Sequence, residues 1–174
     1  DRTRGPHGTL VGHVARANPV WKSLAAGSPS LVIFQGPHSY ITPNWYPGKA
    51  EHGKVVPTWD YAVVHAHGVA RAVEDRDWMM DMLERLTNAQ EASQPAPWRV
   101  GDAPADYIDK LLRAIVGIEI PIERLQGKLK ASQDEAVRDR IGAVEGLRGL
   151  LRPKADAMAD LVMAAAPHAP GRGG

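Results

Sequence analysis

The chain has 174 residues, 44% hydrophobic and 24% charged, the proportions of one globular domain. Its 21 basic and 20 acidic residues leave a net charge of +1, which excludes a general electrostatic pull toward nucleic acid or anionic lipid and confines any DNA contact to a local patch. The absence of cysteine excludes disulfide frameworks, thiolate metal sites and cysteine nucleophiles, and no run approaches the roughly 20 apolar residues of a membrane helix, so no membrane partner and a cytoplasmic location are expected.

In chain order, Leu10 to Val14 is a short apolar run that predicts a strand. It ends in the polar group His13, Arg16 and Asn18, and Pro19 opens a short helix through Trp21, Leu24 and Ala25. Leu31 to Phe34 reads as a buried strand that stops at the breakers Gly36 and Pro37. The following stretch, PHSYITPNWYPGKAEHGK, is rich in Pro, Gly, Asn and aromatics and reads as an irregular loop.

From Val55 to Ala72 the pattern has period two: Trp59, Tyr61, Val63, His65 and His67 on one face, Ala62, Val64, Ala66 and Gly68 on the other. The small face suits a tight barrel interior, and the aromatic and histidine face suits a partner subunit or a planar ligand. Asp75 to Ala92 predicts a helix capped by Asp75 or Asp77, with Trp78, Met79, Met82, Leu83 and Leu86 inward. A second helix follows around Tyr107 to Leu112.

Ile115 to Leu125 is a strand interrupted by Pro121, which predicts a sheet edge or bulge, and Gly127 to Ser132 suggests a turn with a hairpin partner. Helices are expected from Asp134 to about Leu151, with Val137, Ile141, Val144 and Leu147 as the apolar stripe, and from Pro153 to Ala166. Strands first, one helix between strands, then helices argue for an α+β domain with an antiparallel sheet or barrel. No Gly-rich phosphate loop of the dinucleotide or Walker type is present.

Two donor clusters stand out. His13, Arg16 and Asn18 lie at a strand end, where they read either as a solvated turn with an Asn cap or as an anion site. Lys128, Lys130, Ser132 and Gln133 precede a helix start, where they read either as an ordinary basic hairpin or as a second anion site. Trp45, Tyr46, Trp59 and Tyr61 suit either a core or the walls of a ring site. His65 and His67 share a face, but no third ligand lies at motif spacing, so no metal is expected. Arg124 to Lys154 carries eight basic and four acidic residues, the one stretch suited to nucleic acid.

Four segments taken together resemble the PaiB-like family of FMN-binding negative transcriptional regulators: LVGHVARANPVW, IFQGPHSYITPNWYPGK, VVPTWDYAVVHAHG and IVGIEIPIERLQGKLKASQ. The resemblance implies an α+β, antiparallel split β-barrel, the FMN-binding split barrel, with helices between strands and at the C-terminus over 134–166. It implies FMN as cofactor, a homodimer with flavin sites at the subunit interface, and regulation of genes, with a flavin-dependent oxidoreductase as the alternative. The whole chain, 1–174, is then one domain that lacks the family's usual N-terminal segment. Flavin contacts are expected from His13, Arg16, Asn18, Trp59, Tyr61, Lys128, Lys130, Ser132 and Gln133, with Arg16 on the phosphate. Where the family tends to carry Asn, this chain has Asp60 and Asp134, and Asp134 is suited to cap the next helix.

Overall fold

The computed structural model describes residues 1–165; Ala166, the expected end of the last helix, lies outside the described residues. Among the described residues, four strands are interspersed with helices: β1 (Thr9–Ala15), α1 (Val20–Leu24), β2 (Ser28–Ile41), α2 (Gly48–His52), β3 (Thr58–Val73), α3 (Arg76–Glu91), α4 (Ala105–Arg113), β4 (Ile115–Lys130), α5 (Val137–Gly149) and α6 (Pro153–Ala164). Short 3-10 turns occupy Pro43–Trp45 and Val100–Asp102. The strands form one sheet in the order β1-β4-β3-β2. β1 runs antiparallel to β4, from Thr9 opposite Pro121 to Ala15 opposite Ile115.

Three elements differ from the sequence expectation. β2 does not stop at Gly36-Pro37 but continues to Ile41. It is an edge strand, where a proline costs no ladder bond on its open side. Gly36 also lies so close to Ala62 that a Cβ would come within 3.1 Å of the Ala62 carbonyl oxygen. The aromatic stretch beyond is likewise ordered, as a 3-10 turn and α2, closed by Gly53 in the left-handed region at φ 63°.

β4 is an interior strand despite Pro121. Pro121 sits opposite the first residue of β1, and the Ile122 N–H beside it donates to the Gly8 carbonyl at 3.0 Å. On the β3 side the Pro121 carbonyl approaches Gly68, where a Cβ would collide with it. β4 then runs straight through Gly127, so the expected turn and hairpin partner are absent there.

The third difference is at α5. Its N-cap is Ala136, with no side-chain cap bond, so Asp134 does not cap it. Val144 and Leu147 are buried as expected, but Val137 and Ile141 are exposed. The close contact is made instead by Gly142 and Gly146, one turn apart, against which the Trp45 carbonyl and indole lie. Hydrophobic periodicity cannot register a face built of glycine.

The chain divides into two compact units. Unit 1 comprises Asp1–Val32 and Ala66–Leu125. Its apolar cluster joins Leu24, Ala70 and Ile120, with Leu10, Val32, Ala72 and Ile118 against them. In α3, Asp75 is the cap, accepting from the Trp78 N–H at 2.7 Å, and Met79 and Met82 are buried. Unit 2 comprises Ile33–His65 and the described residues from Gln126 onward. Its core joins Ile41, Tyr46 and Ala131 to the inward faces of α5 and α6, notably Val144, Leu147, Met158 and Val162.

Candidate functional site

On β3 the period-two pattern takes effect as two unlike faces. Asp60, Ala66, Gly68 and Ala70 are buried, while Trp59 and Tyr61 are only partly covered. In unit 2 the second face floors an open cavity of about 610 Å³, lined by Tyr61, Val63 and His65 of β3, Ile33 and Gln35 of β2, and Gln126, Gly127 and Lys128 of β4. The Lys128 ammonium lies over the Tyr61 ring, 5.7 Å from its centroid. Among the described residues it has no carboxylate partner. Gly127 faces open space, with nothing within 4 Å of a Cβ built there.

Beneath that face lies a buried polar group. Asp60 is fully buried, and its Oδ2 accepts from the Ser132 hydroxyl at 2.6 Å while Oδ1 has no partner among the described residues. Burial pushes the Asp60 carboxyl above its ordinary range, against the opposing pull of the Ser132 bond and of Lys130. Burial also pushes the Tyr46 hydroxyl up to about 12, and this hydroxyl makes no hydrogen bond of ordinary geometry. Glu135 moves up as well, by burial first and then by the charge of Asp134. Ser132 holds the left-handed conformation at φ 52°, unusual for a residue with a side chain.

The expected site residues fall into separate settings. Tyr61 and Lys128 share the cavity. Trp59, two residues along the same face, stacks on His38 with centroids 5.9 Å apart and planes at 22°. The Lys130 ammonium donates to the Thr58 hydroxyl. Ser132 is held by Asp60, and the Gln133 amide is spent locally, accepting from the Ala131 N–H at 2.7 Å and donating to the Leu129 carbonyl at 3.1 Å.

His13, Arg16 and Asn18 belong to unit 1. His13 lines an apolar cavity of about 310 Å³ beside Leu83, Trp98 and Leu111. Arg16 pairs with Glu74 at 2.6 Å, donates to the Arg113 and Ile115 carbonyls, and stands over Trp21. Asn18 accepts from the Val20 N–H at 3.1 Å just ahead of α1, whose N-cap is Pro19 rather than Asn18. Ile33, Gln35, Gln126 and Gly127 were not legible as site residues. Their signal was the strand alternation of β2 and β4, hidden by the apparent stop at Gly36 and the apparent turn at Gly127.

The unit 2 cavity fits a flavin mononucleotide by donor set and size. Ligand cavities run from about 300 to 1,000 Å³ and combine apolar walls with a few placed polar groups. Ile33, Tyr61 and Val63 supply flat apolar wall, Gln35 and Gln126 supply amides, and Lys128 supplies a cation free for a phosphate.

Comparison with known proteins agrees with that chemistry. Residues 1–124 match the family described as "Putative FMN-binding domain". That match contains the β2 and β3 parts of the cavity and ends before Gln126 to Lys128. An uncharacterized protein of Emericella nidulans is 37% identical, over 90% of this chain and 72% of its own length. The protease synthase and sporulation protein PAI 2 of Bacillus subtilis is 33% identical, also over 90% of this chain and 72% of its own length. Among solved structures, the FAD and heme binding protein of Mycobacterium smegmatis superposes with a TM-score of 0.53 at 19% identity. That match takes in 75% of this chain and 58% of the other, and the fold held in common is the split-barrel type, here a four-stranded antiparallel half-barrel with helices. The chain belongs to the PaiB-like FMN-binding family, and FMN is its cofactor.

Proposed function

We propose that the chain holds FMN in the Tyr61–Lys128 cavity and works in the cytoplasm as a homodimeric negative transcriptional regulator. The observation that carries this reading is an unpaired ammonium beside an aromatic and aliphatic wall, in a cavity large enough for the coenzyme. The flavin, when bound, supplies reversible electron transfer; the chain supplies a flat wall for the ring and a cation for the phosphate.

The homodimer is supported by apolar side chains left in solvent on the strands of unit 2. Phe34 is 49% exposed, with Val64 and Leu129 also exposed, and none of the three lines either cavity of unit 2. Clusters of this kind mark protein contacts more often than free surface. The regulatory role is supported by similarity to the Bacillus subtilis protein named for protease synthesis and sporulation. Direct DNA contact has thinner support, because Arg138 and Arg148 of the basic stretch are paired with Glu51 and Asp160. The regulatory reading therefore acts through the flavin state and a partner.

The test is flavin titration of purified protein with light scattering for mass. FMN should bind and the mass should be that of a dimer. Lys128→Ala should raise the FMN Kd about 10- to 100-fold, the loss of one charge-assisted contact of about 1.5–3 kcal/mol. Unchanged affinity in that variant would remove Lys128 from the phosphate site.

A further inference from the structure

Unit 2 carries a second cavity, of about 420 Å³, whose lining includes His38, Tyr40, Trp45, Trp59, Arg152 and Lys154. Trp59 is half-exposed, with His38 stacked on it and Tyr40 tilted at 60° with its centroid 6.2 Å away. Arg152 and Lys154 are exposed and, among the described residues, without a carboxylate partner. Among the described residues, no acidic side chain lines the cavity.

Two supports fix this geometry. Trp45 is seated on the glycines of α5, so its position is set by backbone rather than by a flexible neighbour. Leu151, between α5 and α6, holds the left-handed conformation at φ 51°, a sharp turn that brings Arg152 and Lys154 to the cavity.

The chemistry selects a narrow class of ligand. A neutral aromatic would leave two cations unused, and an aliphatic anion would leave the indole and phenol faces uncovered. A flat ring bearing a carboxylate or phosphate satisfies both, by stacking and by charge-assisted hydrogen bonds. We propose that this cavity binds a planar aromatic anion as a second ligand, beside the flavin and on the same β3 face. The proposal rests on FMN taking the Tyr61–Lys128 cavity, since FMN is itself a planar aromatic anion.

The test uses the full chain saturated with FMN, titrated calorimetrically with indole-3-acetate and with its neutral analogue indole-3-acetamide. The acid should bind at least tenfold more tightly than the amide. Arg152→Gln with Lys154→Gln should bring the acid down to the level of the amide and leave the FMN Kd unchanged. Equal affinity for acid and amide, or no binding of either, overturns the proposal. So does a loss of FMN affinity in the double variant, or displacement of FMN by the acid, because either assigns this cavity to the flavin. If FMN fails to bind at all, the flavin reading fails separately, and the acid-over-amide preference measured on flavin-free protein still decides whether a site for an aromatic anion exists.

Discussion

Arg16 and Lys128 were both candidates for an anion site in the sequence, with Arg16 the one expected on the phosphate, yet their surroundings differ in one respect that bears on their use. In unit 1 the Arg16 guanidinium has three protein acceptors, Glu74 and the carbonyls of Arg113 and Ile115. In unit 2, Lys128 touches an aromatic face and, among the described residues, no carboxylate. A cation whose donors are already engaged stabilises the fold, whereas one left without a partner is available to a ligand.

The largest effect that would break this contrast is charge reversal. Lys128→Glu should weaken FMN binding by at least about 100-fold, or about 2.7 kcal/mol, because a lost cation is joined by repulsion of the phosphate. Flavin fluorescence titration measures it, and a loss under threefold would place the phosphate elsewhere. Arg16→Ala should do the opposite: unfold in urea with a loss of about 1–2 kcal/mol, moderated by solvent at the half-exposed Glu74 pair, while the FMN Kd stays within twofold. A large fall in flavin affinity with stability intact would return Arg16 to the phosphate.

In the buried polar group of unit 2 the unpaired atoms are enclosed rather than open. Asp60 has a folded pKa above the unfolded value, so the folded state holds its proton longer. The penalty for burying the carboxylate is absent at low pH and grows as pH rises from the ordinary Asp range through the folded value. Asp60→Asn keeps the shape and removes the titration. It should flatten that part of the stability profile and gain about 1 kcal/mol at neutral pH, read from urea unfolding between pH 4 and 7.

The smallest effect is expected at Tyr46. With the hydroxyl pushed up to about 12 from 10.0, folding stability falls as pH rises through that interval. Tyr46→Phe should abolish the alkaline fall and change neutral stability by no more than about 0.5 kcal/mol, because the hydroxyl it removes has no hydrogen bond of ordinary geometry. Thermal melting between pH 9 and 11 checks it.

These contrasts also explain what could be read without a structure. The faces of β3 were legible because strand alternation is local, and α3 was legible from its cap and spacing, while α4 was legible only as a helix around Tyr107 to Leu112. The length of β2 was not, since proline and glycine read as breakers unless the strand is known to be an edge and Ala62 is known to lie alongside. Nor was the interior place of β4, which depends on Gly68 meeting Pro121 across more than 50 positions of sequence. The difference between Arg16 and Lys128 was invisible for the same reason. Glu74, 58 residues from Arg16, decides whether that arginine is occupied.

Gly146 shows how far such dependence can reach. It touches no ligand cavity, but a methyl group placed there would press on the Trp45 indole, and Trp45 lines the cavity of Arg152 and Lys154. A helix surface with no chemistry of its own thus sets the width of a slot one residue away, as a shim sets a gap. Binding by an aromatic anion could be retuned from α5 without altering any side chain that the ligand meets.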